Sequence, residues 1–188
     1  MFMLKNFMKK YGIYLVAIAL VLVVGISAGI SANEQEYPNE PSAPTGSTAV
    51  EMVCPMNSPE VLKWYSDTEL FYNATLKQWE SHKAVDLVSN VSSDVYAVLD
   101  GIVTDCSYSY EDGYCITISH ADGLETTYCS LANVDGVKNG DKVSQGQKLG
   151  EASNTATNES LEGNHLHFSV CLNGVSVDPA NYITFENK

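Results

Sequence analysis

The sequence predicts a mainly β, antiparallel domain held behind a single N-terminal transmembrane helix. Three observations carry this expectation. Residues 11–30, YGIYLVAIALVLVVGISAGI, contain no charge, and roughly 20 apolar residues span a bilayer core. From residue 94 onward, short runs rich in Val, Ile, Thr and Tyr alternate with Gly-containing turns, the pattern of many short strands. After residue 80 there is no long run of helical periodicity.

The N-terminal part is read first. Lys5, Lys9 and Lys10 precede the apolar run, and no acid occurs before Glu34. That asymmetry places residues 1–10 in the cytoplasm and the rest outside it. A cleaved signal peptide is the competing reading, favoured by the small residues at 27–32. Against it, the run exceeds the roughly 7–15 residues of a signal h-region. Residues 31–50 are polar, carry three prolines and show no periodicity, so they read as a flexible linker.

Residues 51–79 read as a β-rich extension. Glu60 to Tyr65 and Thr68 to Tyr72 flank Ser66-Asp67, which predicts a hairpin, with a short amphipathic helix as the alternative. The aromatic residues there, Trp64, Tyr65, Phe71, Tyr72 and Trp79, are expected to pack in the core or at an edge. Strands follow at 95–99, 102–107, 114–119 and 124–129, closed by Asp100-Gly101, Asp112-Gly113 and Asp122-Gly123. Glycine-rich turns punctuate 136–150. Residues 151–163 form a polar loop, 164–171 a strand, and Asn173-Gly174 a last hairpin. The domain is expected over 80–183, with 184–188 as a tail.

Charge and cysteine usage limit the function. All ten basic residues are Lys, and beyond the apolar run seven lysines face 23 acids, a net charge near −16. Such a surface argues against nucleic acid or anionic lipid as a partner. The five cysteines (54, 106, 115, 129, 171) are odd in number and contain no CxxC pair. They are therefore expected mostly as small buried hydrophobes, although Cys106 and Cys115 flank a predicted turn and could lie close together.

Chemistry concentrates in two motifs. The chain has four histidines, and three fall in His82-x-x-x-Asp86 and His165-Leu166-His167. In a strand, residues i and i+2 share a face, so His165 and His167 can reach one site while Leu166 and Phe168 enter the core. Two His and an Asp form a donor set that Zn²⁺ favours, leaving one position open. Zinc in such a site lowers the pKa of water to near neutrality and polarises a carbonyl. The fourth histidine, His120, ends a strand at a turn and is expected at the surface.

An ordered set of motifs then matches a family. His82-x-x-x-Asp86, Ala121-Asp122-Gly123-Leu124-x-Thr126-x-Tyr128, the glycine-punctuated segment from Val137 to Gly150, and Gly163-x-His165-Leu166-His167-Phe168 resemble the LytM/lysostaphin-type zinc metallopeptidase domain. The resemblance covers roughly residues 80–183 and implies that His82, Asp86 and His167 bind zinc and that His165 is catalytic. The family's second catalytic histidine lies in Tyr-x-His-Leu, where this chain reads Tyr128-Cys129-Ser130-Leu131. With Ser130 in that place, His165 is the remnant of a catalytic pair. A serine hydroxyl is no base near pH 7, and loss of one such group costs on the order of 10²–10⁴ in rate.

A single anchor, a short linker and Tyr-x-Ser-Leu are together similar to the sporulation members of this family in endospore-forming Firmicutes. The resemblance implies a forespore membrane anchor, a domain in the intermembrane space, and a zipper or channel formed with the mother-cell protein stage III sporulation protein AH. Two other functions remain open at this point. One is an active zinc-dependent peptidoglycan endopeptidase working through His165. The other is a LytM pseudoenzyme that regulates a cell-wall amidase, although no long coiled-coil heptad lies between anchor and domain.

Overall fold

The computed structural model describes residues 51–134 and 136–185. The expected transmembrane run, the linker and the last three residues of the tail lie outside them. Among the described residues, no helix is long and apolar enough to cross a membrane.

Among the described residues, twelve strands follow one another. They are β1 (Glu60–Lys63), β2 (Ser66–Asn73), β3 (Gln78–His82), β4 (Val85–Val88), β5 (Asp94–Tyr96) and β6 (Gly101–Ser109). Then come β7 (Gly113–Ser119), β8 (Leu124–Leu131), β9 (Lys142–Val143), β10 (Lys148–Glu151), β11 (Leu166–Leu172) and β12 (Val175–Val177). The helical elements among the described residues are short 3₁₀ turns, at Ala121–Gly123, Thr157–Glu162 and Pro179–Asn181. The mainly β, antiparallel expectation is met.

One large sheet runs β1-β4-β11-β8-β7-β6-β9. Strand β11 lies inside it and pairs with three others. One of its edges is covered by β8 along His167–Leu172. The other is shared, with β4 pairing Leu166–Phe168 and β12 pairing Val170–Leu172. Alternation along β11 sends Leu166, Phe168 and Val170 into the core, all fully buried. They meet Leu87, Ile116, Ile118, Tyr128 and Leu149 there, with the Tyr128 and Phe168 rings 5.2 Å apart. Strands β5 and β10 form a second, two-stranded sheet, and β2 and β3 a third.

The predicted hairpin at 60–72 is not formed. Both strands exist, but β1 pairs with β4 and β2 pairs with β3. The two residues between β1 and β2 are Trp64 and Tyr65, bulky side chains unsuited to a tight reversal. Packing Val61 against the core from its place opposite Leu87 stabilises the non-local pairing instead. The aromatic residues also divide. Trp64 packs edge-on against Phe185, with centroids 6.1 Å apart, whereas Tyr72 and Trp79 stack on each other on the outside of β2–β3, 51% and 66% exposed.

Two further expectations are corrected. Not all the cysteines are buried hydrophobes: Cys115 bonds Cys129, because β7 and β8 bring their Cα atoms to 4.2 Å, while Cys106 lies diagonal to Cys115 across β6 and β7, close by as the turn between them implied. Cys54, Cys106 and Cys171 are free and partly buried, and burial pushes each thiol up from its ordinary pKa, away from reactive thiolate. The disulfide closes a loop of sequence separation 14. Replacing both Cys115 and Cys129 by Ala is expected to cost about 3 kcal/mol on the loop-entropy estimate, read as a fall in urea midpoint.

His120 is the other correction. It is half-buried rather than a surface residue, with Nδ1 2.8 Å from the Asp100 carbonyl and Nε2 2.7 Å from Thr126 Oγ1. Thr126 Oγ1 in turn lies 3.2 Å from the Tyr128 hydroxyl, which accepts from Val98 N–H. Burial lowers the pKa of His120. The residue satisfies a buried polar chain at one end of the sheet, where a charged ring would be costly.

Candidate metal centre

The site is a row across three adjacent strands. In register, Lys63 of β1 lies opposite Asp86 of β4, and Asp86 lies opposite His167 of β11. Cross-strand partners share a face, so three residues far apart in sequence line up side by side. His82 enters from the end of β3, and Glu159 from the 3₁₀ turn at Thr157–Glu162. Asp86 is fully buried, and His82 and Glu159 nearly so, while the His167 side chain keeps 30% of its surface exposed.

The three expected metal ligands converge, together with Glu159, which no sequence pattern marks. His167 Nδ1 is 2.8 Å from Asp86 Oδ1 and 3.2 Å from Glu159 Oε2. His82 Nε2 is 3.2 Å from Asp86 Oδ2. The ligand atoms of His82, Asp86, Glu159 and His167 all lie within 4.8 Å of one another. His165 also reaches the cluster, with Nε2 3.4 Å from Glu159 Oε2. Its Nδ1 lies 2.9 Å from the Gly163 carbonyl, a contact shaped by Gly163 at φ +79°, where only glycine is unstrained.

A metal fits this donor set on local evidence. His82 Nδ1 is 3.0 Å from the Trp64 carbonyl, an acceptor, so Nδ1 carries the proton and Nε2 presents its lone pair. Such a hydrogen bond on the far nitrogen orients a metal-ligating histidine. That lone pair faces a carboxylate oxygen, and His82 Nε2 and Asp86 Oδ2 are both buried without a hydrogen-bond partner. Two acceptors opposed in a dry site are stable when a cation sits between them. His82, Asp86 and His167 would hold it, and a zinc ion there would supply Lewis-acid polarisation.

Lys63 is the second residue that the sequence did not disclose. Its Nζ lies 3.2 Å from Asp86 Oδ2 and 3.2 Å from Glu159 Oε1, and it pairs closely with Glu162. The contact with Asp86 is an ion pair without hydrogen-bond geometry. No local signal marks Lys63, since its place follows from the register of β1. Glu159 is hidden for a different reason: an acid in a polar loop is expected in water.

The electrostatics of the metal-free site follow from these contacts. Burial pulls the His167 pKa down, but the Asp86 and Glu159 carboxylates outweigh it and carry it up to about 10. Burial likewise opposes ionisation of Asp86, yet the His167 hydrogen bond and charge hold its carboxyl well below the usual range. Glu159 is lowered too, against its burial, by His165 and His167. His165 is raised, again against burial, by Glu159 and Gly163. Oxygen acceptors stand at both of its ring nitrogens, the Gly163 carbonyl at 2.9 Å and Glu159 Oε2 at 3.4 Å, an environment that favours the protonated ring over the free base.

Ser130 has its own fixed role. Its hydroxyl donates to the Ser153 carbonyl at 2.8 Å, and its carbonyl accepts from Ser153 N–H and Oγ at 2.7 and 2.9 Å. It is fully buried, at φ +60°, a left-handed conformation that the flanking bonds stabilise. Ser153 also pairs with His165, so Ser130 and His165 are joined through backbone. Ser130→His is expected to destabilise the fold by about 1–3 kcal/mol through overpacking and to leave muropeptide release from purified sacculi at background.

Known proteins share this arrangement of strands and motifs. Residues 80–179 match the model of peptidase family M23. The chain belongs to peptidase family M23. Its fold is the LytM/lysostaphin-like one that the motifs implied. Stage II sporulation protein Q of Bacillus subtilis (strain 168) is 37% identical over 114 residues, which are 60% of this chain and 38% of that protein. The matched stretch is thus well under half of the relative's length. A crystal structure of a SpoIIIAH and SpoIIQ complex contains a chain similar at 31% identity and TM-score 0.59, over 70% of this chain and 99% of that one. A zinc-containing peptidase from Vibrio cholerae is similar at 25% identity and TM-score 0.53, over 63% of this chain and 35% of that one.

Proposed function

We propose that this M23 domain is a catalytically degenerate protein-binding module of endospore formation, tethered to the forespore membrane through residues 11–30. Its partner is stage III sporulation protein AH or an equivalent mother-cell membrane protein, met across the intermembrane space. Zinc bound by His82, Asp86 and His167 serves to hold the fold together. The observation that carries this reading is the similarity to a chain from the SpoIIIAH and SpoIIQ complex, 99% of which is covered by the match. The replacement of the family histidine by Ser130 and the oxygen acceptors at both nitrogens of His165 support the loss of catalysis. The exposed apolar side chains of β2–β3 and their connecting turn, Leu70, Tyr72, Leu76 and Trp79, support a protein-binding role.

The purified chain is expected to capture stage III sporulation protein AH from the same organism in a pull-down. Recovery of no mother-cell membrane protein would count against the reading. An active endopeptidase is the second reading, favoured by the complete His82, Asp86 and His167 set. Zinc-dependent release of muropeptides from purified sacculi would establish it and remove the degenerate one.

A further inference from the structure

The fourth position of the metal centre is where catalysis and structure part. A catalytic zinc has three protein ligands and a place left open to solvent, whereas a structural zinc is closed by four. Glu159 stands where that choice is made. It is 5% exposed, and its Oε2 is 3.2 Å from His167 Nδ1 while its Oε1 is 4.0 Å from His82 Nε2. Zinc bonded to nitrogen and oxygen at about 2.0–2.1 Å has tetrahedral edges of roughly 3.3 Å. The separations of His82 from Asp86 and of His167 from Glu159, each 3.2 Å, match such edges, while that of His167 from Asp86 is shorter at 2.8 Å and that of His82 from Glu159 longer at 4.0 Å.

We propose that Glu159 is a fourth protein ligand and closes the metal centre. The proposal rests on the reading that the centre holds zinc. Two observations beyond the acidic cluster point to a bound cation: His82 Nε2, buried without a hydrogen-bond partner on a residue 6% exposed, and the His82 tautomer set by Trp64. Charge points the same way. Asp86, Glu159 and Glu162 surround Lys63, so three carboxylates face one ammonium, and with the three histidines neutral a divalent ion closes the balance without a further anion. Lys63 is a positioning residue here, holding Glu159 toward the centre from β1. A centre closed in this way has no place for a substrate carbonyl, which explains how Ser130 could replace a catalytic histidine without further loss.

Cobalt(II) substitution of the full chain tests this, with azide as the probe. The visible spectrum of the wild-type cobalt protein is expected to stay unchanged on adding azide, because no coordination position is free. In Glu159→Ala the position opens, and the spectrum is expected to shift with azide in a saturable way. Cobalt affinity should also fall in that variant by more than the roughly 10–100-fold that loss of an outer partner costs. An azide-dependent shift in the wild type overturns the fourth-ligand assignment while leaving metal binding in place. A folded Glu159→Ala protein that remains indifferent to azide overturns it equally. Failure of the wild type to take up cobalt overturns the zinc reading itself.

Discussion

His82→Ala is expected to abolish zinc binding, where the intact chain carries about one zinc per molecule. The histidine is oriented for that task by its 3.0 Å contact with the Trp64 carbonyl, and an alanine leaves Asp86 Oδ2 facing an empty space. Binding free energies at structural zinc sites run to about 10–16 kcal/mol, so loss of a ligand removes a large part of the stability of the loaded protein. At a zinc concentration about 1,000 times Kd, linkage contributes about 4 kcal/mol to folding. Chelation should therefore lower the Tm of the wild type and leave His82→Ala unmoved. Zinc analysis and thermal melts with and without chelator check both statements, and zinc in neither protein would refute them.

The pH dependence has a defined sign. In the metal-free protein the His167 pKa rises from 6.5 to about 10. Its ion pairs therefore stabilise that form fully below about pH 6.5, and this stability is lost as pH rises through about 10. Zinc requires the neutral ring, so metal binding displaces the proton. Affinity should weaken about tenfold for each unit of pH lowered between about 8 and 7, one proton being released per ion bound. A pH-independent Kd over that interval would refute the exchange at His167.

Lys63→Met is expected to destabilise the metal-free chain by about 3–5 kcal/mol, the cost of breaking a buried ion pair and leaving charge behind. The side chain is 13% exposed, and its ammonium touches Asp86, Glu159 and Glu162, so methionine keeps much of the volume and removes the charge. Added zinc should shrink the deficit, because a dication supplies the charge that Lys63 no longer does. Urea melts in chelator and in zinc measure the two values. A loss below about 1 kcal/mol in chelator, typical of exposed pairs, would show that Lys63 is a surface group.

Much of the site was legible because its signals are local. The HxH spacing predicts a shared face, and both histidines do reach Glu159 Oε2. Alternation correctly sent Leu166 and Phe168 inward. What failed was non-local. The pairing of β1 with β4, the Cys115–Cys129 bond and the burial of His120 each depend on which strands become neighbours. A turn dipeptide between two apolar runs cannot report that a third strand pairs better.

The β class, the family and three of the candidate metal ligands are written in the chain itself, because strand periodicity and motif spacing are properties of consecutive residues. That Lys63 and Glu159 belong to the same centre is decided by folding. Lys63 arrives through the register of β1 against β4, and Glu159 through a loop folded over β11. The distances that then govern charge balance and coordination lie between residues about 80 to 100 positions apart, and nothing in the local chain encodes them.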